Sequence, residues 1–222
     1  SGIKSRGLIV GDGWPDLIYG RNPVREALRA GLRAVRTVWL VAGAGGDELE
    51  RRLNEWAASS WSSSRISAQK GPLVRRLPPQ GLADLVGTCD HQGVVAEVAP
   101  YPYAELADVL GSYSLLVALD RIQDPHNLGA IIRTAEGAGA AVVIPRHRSA
   151  EITAAVVKAS AGATEHVRVA RVRNLADALA EIRDAGFWIY GAAAEAAAPY
   201  DLQDYSGASC FVVGSEGEGL GR

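Results

Sequence analysis

The second half of the chain alternates unbroken apolar runs with helix-like segments, and this pattern constrains the fold more than any other feature. The runs SLLVAL (114–119) and CFVV (210–213) contain almost no polar residue, as expected for strands that are covered on both faces. Alternation of strands and helices predicts an α/β domain, a parallel sheet with helices on both sides. The predicted strands are Ser114–Leu119, Ala141–Ile144, His166–Val172, Phe187–Tyr190 and Ser209–Val213, and the predicted helices are Leu128–Ala138, Ala150–Ala161 and Leu175–Ala185.

The first half predicts a smaller mixed α/β unit. A helix is expected to begin with Asn22 as its cap and Pro23 at its first position, and to end at Gly31. Pro100 and Pro102 mark a linker. The expected organisation is therefore a tail over 1–16, a first domain over 17–99, a linker over 100–113 and a second domain over 114–222.

Charge and cysteine content exclude several classes of protein. The net charge of −2 argues against a uniformly basic polyanion-binding protein, although residues 1–103 carry a net +3 and residues 104–222 a net −5. Cys89 and Cys210 are the only cysteines, and the four histidines lack ligand spacing. A zinc site or a disulfide framework is therefore not expected, and a reducing cytoplasm fits. No apolar run approaches the length of a membrane span.

Residues just after the strands are the natural candidates for a site, because ligands of parallel sheets bind beyond the carboxyl ends of the strands. After the first strand, Asp124-Pro125 predicts a turn and Asn127 a helix cap. The following helix has an apolar stripe from which Arg133 points away. From spacing alone, Arg133 is either a solvated arginine or a functional one.

The last strand is followed by the glycine-rich segment GSEGEGLG (214–221). Glycine allows a ligand to approach the backbone closely. The segment does not match the dinucleotide fingerprint GxGxxG. Its carboxylates, Glu216 and Glu218, disfavour a phosphate and favour a cationic or zwitterionic ligand.

Two segments of the second half resemble family motifs. LDRIQDPHNLGAIIRTAE (119–136) and FVVGSEGEGL (211–220) resemble motifs one and two of the SpoU (TrmH-like) RNA 2′-O-ribose methyltransferases, within the SPOUT superfamily. The segment between them resembles the subgroup that methylates a guanosine of large-subunit rRNA. YGRNPVREAL (19–28) and HQGVVAEV (91–98) resemble the start and end of that subgroup's substrate-binding domain, so that the resemblance covers about residues 17–222.

The resemblance implies a parallel-sheet SPOUT domain of the trefoil-knot type, preceded by a small ribosomal-protein-like RNA-binding domain. It also implies S-adenosylmethionine as the cofactor, RNA as the substrate and a homodimer through the C-terminal domain. No membrane and no metal are expected, from the apolar runs and the cysteine and histidine spacing. The family's third motif does not occur before Arg222. This chain is therefore expected to lack the knot tail and a complete cofactor site.

The resemblance also implies roles for individual residues. The catalytic candidates are Arg133, Asn127 and Glu216; the cofactor-binding candidates are Gly214, Ser215, Gly217, Gly219 and Ala193; the RNA-binding candidates are Arg21, Asn22, Arg25 and Arg29. Arg133 is either a base or a phosphate clamp, and arginine normally keeps its proton. The alternatives are a non-catalytic RNA-binding or ribosome-assembly protein, a tRNA methyltransferase and a Rossmann-type nucleotide-dependent enzyme.

Overall fold

A computed structural model describes residues 16–60, 72–193, 199, 203–215 and 219–220. The chain divides into two compact units, Ser1–Tyr101 and Pro102–Arg222. None of the helices in the described ranges has both the length and the apolar composition needed to cross a membrane.

Over its described residues, the first unit is a four-stranded sheet with three helices. Its elements in chain order are β1 Asp16–Tyr19, α1 Arg21–Ala30, β2 Val35–Val41, α2 Ala44–Ser60, β3 Leu73–Leu77, α3 Pro79–Val86 and β4 Val94–Val98. The strand order is β1-β4-β2-β3. Strand β4 runs antiparallel to both neighbours, and β3 runs parallel to β2. Trp39, Leu82 and Val95 form a buried cluster that joins this sheet to α3.

Helix α1 does not use the predicted cap. It begins at Arg21, after Gly20 with φ 101°, so that Asn22 lies in its first turn. The Arg21 N–H instead donates to the side-chain oxygen of Gln92 at 3.0 Å. A distant side chain therefore satisfies one of the free N–H groups at the helix start. The predicted end is confirmed, since Gly31 adopts φ 60° and its N–H donates to the Ala27 carbonyl.

The second unit is a five-stranded, entirely parallel sheet. Its elements are α4 Leu106–Leu110, β5 Leu115–Asp120, α5 Pro125–Gly137, β6 Ala141–Pro145, α6 Ala154–Ala159, a 3-10 turn Ala163–Glu165, β7 Val169–Val172, α7 Leu175–Asp184, β8 Trp188–Gly191 and β9 Ser209–Gly214. The strand order is β7-β6-β5-β9-β8. From β5 the chain adds β6 and then β7 toward one edge of the sheet, and it then crosses to the other side of β5 to form β8 and β9. The strand order therefore reverses between β5 and β9, which is the topological switch point.

Helices cover both faces of this sheet. On one face, inward-pointing residues of β5 and β9, among them Ala118 and Val212, share a buried cluster with α4 and α7. The residues that alternate with these along the strands point to the other face of the sheet, and they too are buried, for example Leu119 and Ile144. Helix α5 contacts β6 and packs against α6, and its buried residues lie outside the α4–α7 cluster. We conclude that α5 lies on the face opposite α7.

Three expected boundaries of the second half are wrong. Helix α5 begins at Pro125 rather than Leu128, because Asp124 supplies the cap: its side chain accepts from the His126 N–H at 2.9 Å. Proline suits the first position of a helix, and aspartate caps as well as asparagine. Helix α6 begins at Ala154 rather than Ala150, because residues 150–153 belong to a loop. Strand β7 begins at Val169 rather than His166, because the 3-10 turn precedes it.

The segment expected to be a linker, residues 100–113, is packed in part. Its residues form α4, whose Leu106 and Val109 are buried in the core of the second unit. Just before this helix, the Ala104 N–H donates to the Val169 carbonyl at 2.9 Å. The segment therefore adds a short bridge to the edge of β7.

Candidate active site

The two sequence segments that resemble family motifs meet at the switch point. Strands β5 and β9 pair along their whole length, and their last residues, Asp120 and Gly214, are register partners. The loops that follow both strands therefore start side by side at the carboxyl edge of the sheet. This is where parallel α/β sheets bind ligands.

The loop after β9 turns back sharply on the strand. The Gly219 N–H donates to the Ser215 carbonyl at 2.9 Å, and the two residues form an antiparallel bridge. A Cβ atom on Gly214 would lie 2.1 Å from the Gly219 carbonyl oxygen, so only glycine fits at that position. Gly219 itself has φ +62°, a conformation that glycine adopts without strain.

A cavity of about 960 Å³ opens at this edge, on the face that carries α7. Leu220 reaches over Gly191, where an added Cβ would be 2.9 Å from the leucine side chain. The cavity combines an apolar wall with charged groups and lies within the size range of small-molecule sites. Its lining comprises Asp120, Arg121, Pro145, His147, Arg148, Arg173, Asn174, Leu175, Ala176, Leu179, Ile189, Gly191, Val212 and Leu220.

The loop after β5 is fixed by a neighbouring loop. Arg121 lies 3.5 Å from the Asp120 carboxylate. The Ile122 side chain is buried, and its carbonyl accepts from the Ala150 N–H at 2.8 Å. The Ser149 hydroxyl donates to the same carbonyl at 3.4 Å. The first loop of the site and the loop after β6 thus hold each other in place.

The structure does not bring Arg133 into the cavity. Arg133 is exposed on α5, and it is not among the residues that line the cavity. Asn127 is half-buried in the first turn of the same helix. Because α5 lies on the opposite face of the sheet from α7, one chain does not place the Arg133 guanidinium beside the apolar wall of the cavity.

The remaining second-unit candidates differ in how they are placed. Gly214, Ser215 and Gly219 form the turn described above. Ala193 follows β8 and is exposed, and the preceding Ala192 N–H donates to the Val212 carbonyl. Glu216 and Gly217 lie outside the described residues.

The RNA-binding candidates of the first unit are partly neutralised. Glu26 is buried and lies 2.6 Å from the Arg25 guanidinium and 3.5 Å from that of Arg29. The Arg21 Nε donates to the Gln92 carbonyl at 3.3 Å, and Asn22 is exposed. One buried carboxylate thus offsets part of the positive charge of the helix face.

Sequence reasoning missed the basic residues of the cavity. Arg148 follows β6 and Arg173 follows β7, and both line the cavity. The signal was available, because the rule that sites form after strand ends applies to all five strands. The predicted site residues, by contrast, follow only the first, fourth and last strands.

One buried thiol lies near the site without taking part in it. Cys210 is fully buried in the core between the sheet and α7. Burial raises its pKa to about 11, although a hydrogen bond with the Ala118 backbone opposes the rise. Its thiol is therefore a packing group and not a nucleophile.

Family comparisons agree with this geometry. Residues 114–222 match the SpoU rRNA Methylase family, and residues 17–104 match the RNA 2'-O ribose methyltransferase substrate binding family. YacO of Bacillus subtilis, whose name assigns it to the TrmH family of tRNA/rRNA methyltransferases, is 36% identical over 93% of this chain and 81% of its own length. The chain belongs to the SpoU (TrmH) family of RNA methyltransferases.

Another relative of this SpoU-family chain is an uncharacterized tRNA/rRNA methyltransferase of Mycolicibacterium vanbaalenii. It is 41% identical over 93% of this chain, which spans only 65% of the relative's length. Among solved structures, an AdoMet-bound rRNA methyltransferase from Sinorhizobium meliloti has a TM-score of 0.71 at 24% identity, with 93% of this chain and 72% of that chain covered. AviRb of Streptomyces viridochromogenes, a SpoU methyltransferase in complex with AdoMet, has a TM-score of 0.68 at 22% identity, with 92% and 74% covered. These two structural similarities support the SpoU fold.

Proposed function

We propose that this protein transfers a methyl group from S-adenosylmethionine to a ribose 2′-hydroxyl of RNA. The observation that carries the proposal is the pairing of Asp120 with Gly214 beside a cavity of about 960 Å³. This pairing places the loops of both motif-like segments at one edge of the sheet. The description of the matched substrate-binding family supports the ribose 2′-oxygen as the acceptor.

The residues present fit part of the cofactor, its adenine ring and its sulfonium group. Ile189, Val212 and Leu220 offer an apolar wall for an adenine ring, and the close packing at Gly191 and Gly214 keeps the backbone near it. The Asp120 carboxylate, which also lines the cavity, has the charge that suits a sulfonium group. When bound, the cofactor supplies an electrophilic methyl group on that sulfonium.

Arg133 is proposed to hold the phosphate beside the reacting ribose. A guanidinium keeps its proton, and its fork of N–H groups matches phosphate oxygens. Correct placement of the hydroxyl supplies much of the rate of an in-line displacement. Asn127, in the first turn of α5, and Glu216 are proposed to orient the hydroxyl or the arginine.

A homodimer through the C-terminal domain is part of the proposal. Arg133 is exposed on the face of the sheet opposite the cavity, so a second copy is needed to bring an Arg133 guanidinium to each cavity. The symmetry of a two-fold interface supplies the same residue to both sites at once.

A guanosine of large-subunit rRNA is the proposed target, because the stretch of chain that lies between the two motif-like segments resembles the subgroup that methylates such a guanosine. A tRNA target is the second candidate, because the names of both relatives mention tRNA as well as rRNA. The first unit is proposed to hold the RNA through Arg21 and Asn22, which are exposed at the start of α1. Arg25 and Arg29 are proposed to contribute less, because Glu26 already pairs with both.

The test is methyl transfer by the full-length protein. Labelled S-adenosylmethionine is supplied with bulk rRNA or bulk tRNA, and the products are hydrolysed in alkali. A 2′-O-methyl group blocks strand cleavage at its nucleotide, so label in alkali-resistant dinucleotides identifies the acceptor. We expect label in rRNA with the wild-type protein and none with Arg133→Ala.

Three results would contradict the proposal. Equal labelling by wild type and Arg133→Ala would overturn the role of Arg133. Label recovered in mononucleotides after alkaline hydrolysis would place the methyl group on a base. RNA binding without any transfer would favour the non-catalytic RNA-binding alternative.

A further inference from the structure

A basic segment follows β6 and lies at the carboxyl edge of the sheet. Its residues are Arg146, His147 and Arg148, and all three are exposed. His147 and Arg148 line the cavity together with Arg173, the first residue after β7. The cavity therefore has a cationic side at β6 and β7 and an apolar wall at β8 and β9.

Hydrogen bonds hold the chain at both ends of this segment. The Arg146 N–H donates to the Val172 carbonyl, and the Ala150 N–H to the Ile122 carbonyl, both at 2.8 Å. The Ile152 N–H donates to the Tyr103 hydroxyl at 2.9 Å. Bonds at both ends of the segment leave its side chains free to face solvent.

Backbone strain marks the same place. Arg148 has φ 60° and Arg121 has φ 58°, and both arginines line the cavity. A left-handed conformation costs free energy in any residue other than glycine. Such strain persists where surrounding structure enforces it, and it concentrates at functional sites.

Among the described residues, Arg148 and Arg173 also have no carboxylate as an ion-pair partner. Arg171 pairs with Glu151, and Arg121 lies near Asp120. By contrast, within the described parts of the chain Arg148 and Arg173 form no ion pair. Asp177 lies in the first turn of α7, close in sequence to Arg173, and one such carboxylate leaves a net positive charge on the rim.

We infer that Arg148 and Arg173, with His147 beside them, bind backbone phosphates of the RNA strand whose ribose is methylated. The inference rests on the proposed function and assigns part of the RNA surface to the methyltransferase domain itself. Guanidinium groups bind phosphates without regard to base sequence. The site would therefore position the strand and leave the choice of nucleotide to other residues.

The position of these arginines separates them from the proposed cofactor wall. Strand β7 lies three strands from β9 in the sheet, a distance of about 14 Å at the usual strand spacing. The inference assigns these arginines to RNA phosphates, and the test distinguishes an RNA phosphate from the carboxylate of the cofactor.

The experiment compares two double variants of the full-length protein. Arg148→Ala/Arg173→Ala removes from the cavity the two guanidinium groups that are proposed to bind phosphate, and leaves Arg121 in place. Arg168→Ala/Arg183→Ala removes two exposed arginines of the same unit at the opposite edge, at the start of β7 and the end of α7. Binding of a short single-stranded RNA of mixed sequence is followed by fluorescence anisotropy over a series of KCl concentrations.

Loss of two phosphate contacts is expected to reduce the slope of log affinity against log salt by about 1.4, since each single-strand contact contributes about 0.7. The control double variant should keep the wild-type slope. Arg148→Lys/Arg173→Lys should keep it too, because the charge remains, whereas a merely structural role of the guanidinium groups would not be rescued by lysine. Calorimetric affinity for S-adenosylmethionine should be the same in all four proteins.

An unchanged salt slope in Arg148→Ala/Arg173→Ala would overturn the inference. So would a loss of affinity for S-adenosylmethionine with RNA binding intact, which would assign the arginines to the cofactor. Both measurements are independent of methyl transfer. A protein that shows the expected slopes but transfers no methyl group would refute the proposed function and leave this RNA site standing.

Discussion

At the scale of single residues, Gly214 controls the geometry of the proposed cofactor site. Replacement by alanine would place a Cβ atom 2.1 Å from the Gly219 carbonyl oxygen. Because the obstacle is backbone, the loop after β9 must move away. We expect Gly214→Ala to lose measurable binding of S-adenosylmethionine by calorimetry and to lower the free energy of unfolding by about 1–3 kcal/mol.

Gly137→Ala is the matched control for this variant. Gly137 is the last residue of α5, and an added Cβ would have no neighbour within 4 Å. Alanine there should leave cofactor binding intact and stabilise the helix by up to about 1 kcal/mol. Equal cofactor affinity in Gly214→Ala and Gly137→Ala would show that the turn after β9 is not part of the cofactor site.

Cys210 makes a pH-dependent contribution to stability. Its pKa is about 11 in the folded chain against 9.0 for a free thiol, because burial disfavours the thiolate. The stabilisation is therefore complete below pH 9 and is lost as the pH rises toward 11, and it amounts to about 2–3 kcal/mol. In urea unfolding, the difference in stability between wild type and Cys210→Ala should shrink over this range.

Alkylation checks the same environment. Cys89 is exposed and Cys210 is buried. Iodoacetamide should modify Cys89 in the folded protein and reach Cys210 only after unfolding. Modification of both thiols at similar rates in the folded protein would contradict the buried position of Cys210.

Caps and turns show which single residues could be predicted from sequence. Gly31 was predicted correctly, because a left-handed residue after an amphipathic helix is a local requirement. Asn22 was predicted wrongly as a cap, because the oxygen that serves the helix start belongs to Gln92, 71 residues away in sequence. A local pattern cannot reveal a partner that only the tertiary fold brings near.

At the scale of secondary-structure elements, the loop after β6 depends on the segment before α4. The Tyr103 hydroxyl accepts from the Ile152 N–H, and its ring stacks under the Arg171 guanidinium at 5.2 Å. Tyr103→Phe should keep the stacking and lose the hydrogen bond, at a cost of about 0.5–1.5 kcal/mol. The rate of hydrogen exchange at the Ile152 amide should increase by the factor that this loss of free energy corresponds to.

Tyr113→Phe provides the comparison. Tyr113 packs against the core of the same unit, and within the described residues its hydroxyl has no hydrogen-bond partner, so the Ile152 amide should exchange at the wild-type rate. An Ile152 amide that exchanges equally slowly in wild type and Tyr103→Phe would show that Tyr103 does not hold the loop.

Apolar runs predicted the strands of the second unit because each strand is buried on both faces. The run CFVV lies within β9, and SLLVAL lies within one residue of β5. Strand β1 and helix α4 were missed, since they contain only four and five residues and offer too little periodicity. The loop conformation at residues 146–150 was also unpredictable, because its hydrogen bonds reach Val172 and Ile122, which are distant in sequence.

At the scale of the whole molecule, one chain contains the parts of the proposed site without assembling them. The sequence located the two segments and the edge where they meet, which Asp120 and Gly214 share. The sequence did not predict that Arg133 lies on the face of the sheet opposite the cavity. The pattern of apolar residues shows which side of a helix is buried, but it does not show which face of the sheet the helix covers. The two-fold homodimer proposed above resolves this separation.

Mixing two inactive variants tests that arrangement. Arg133→Ala keeps an intact cavity, and Gly214→Ala keeps an intact Arg133. If each cavity uses the arginine of the other copy, a mixed dimer has one complete site, and random re-association of equal amounts should restore about a quarter of wild-type methyl transfer. If Arg133 serves the cavity of its own chain, every site in the mixture lacks one component and no activity returns. Transfer is measured before and after co-refolding, with each variant refolded alone as the control, and light scattering confirms that the mixture is dimeric.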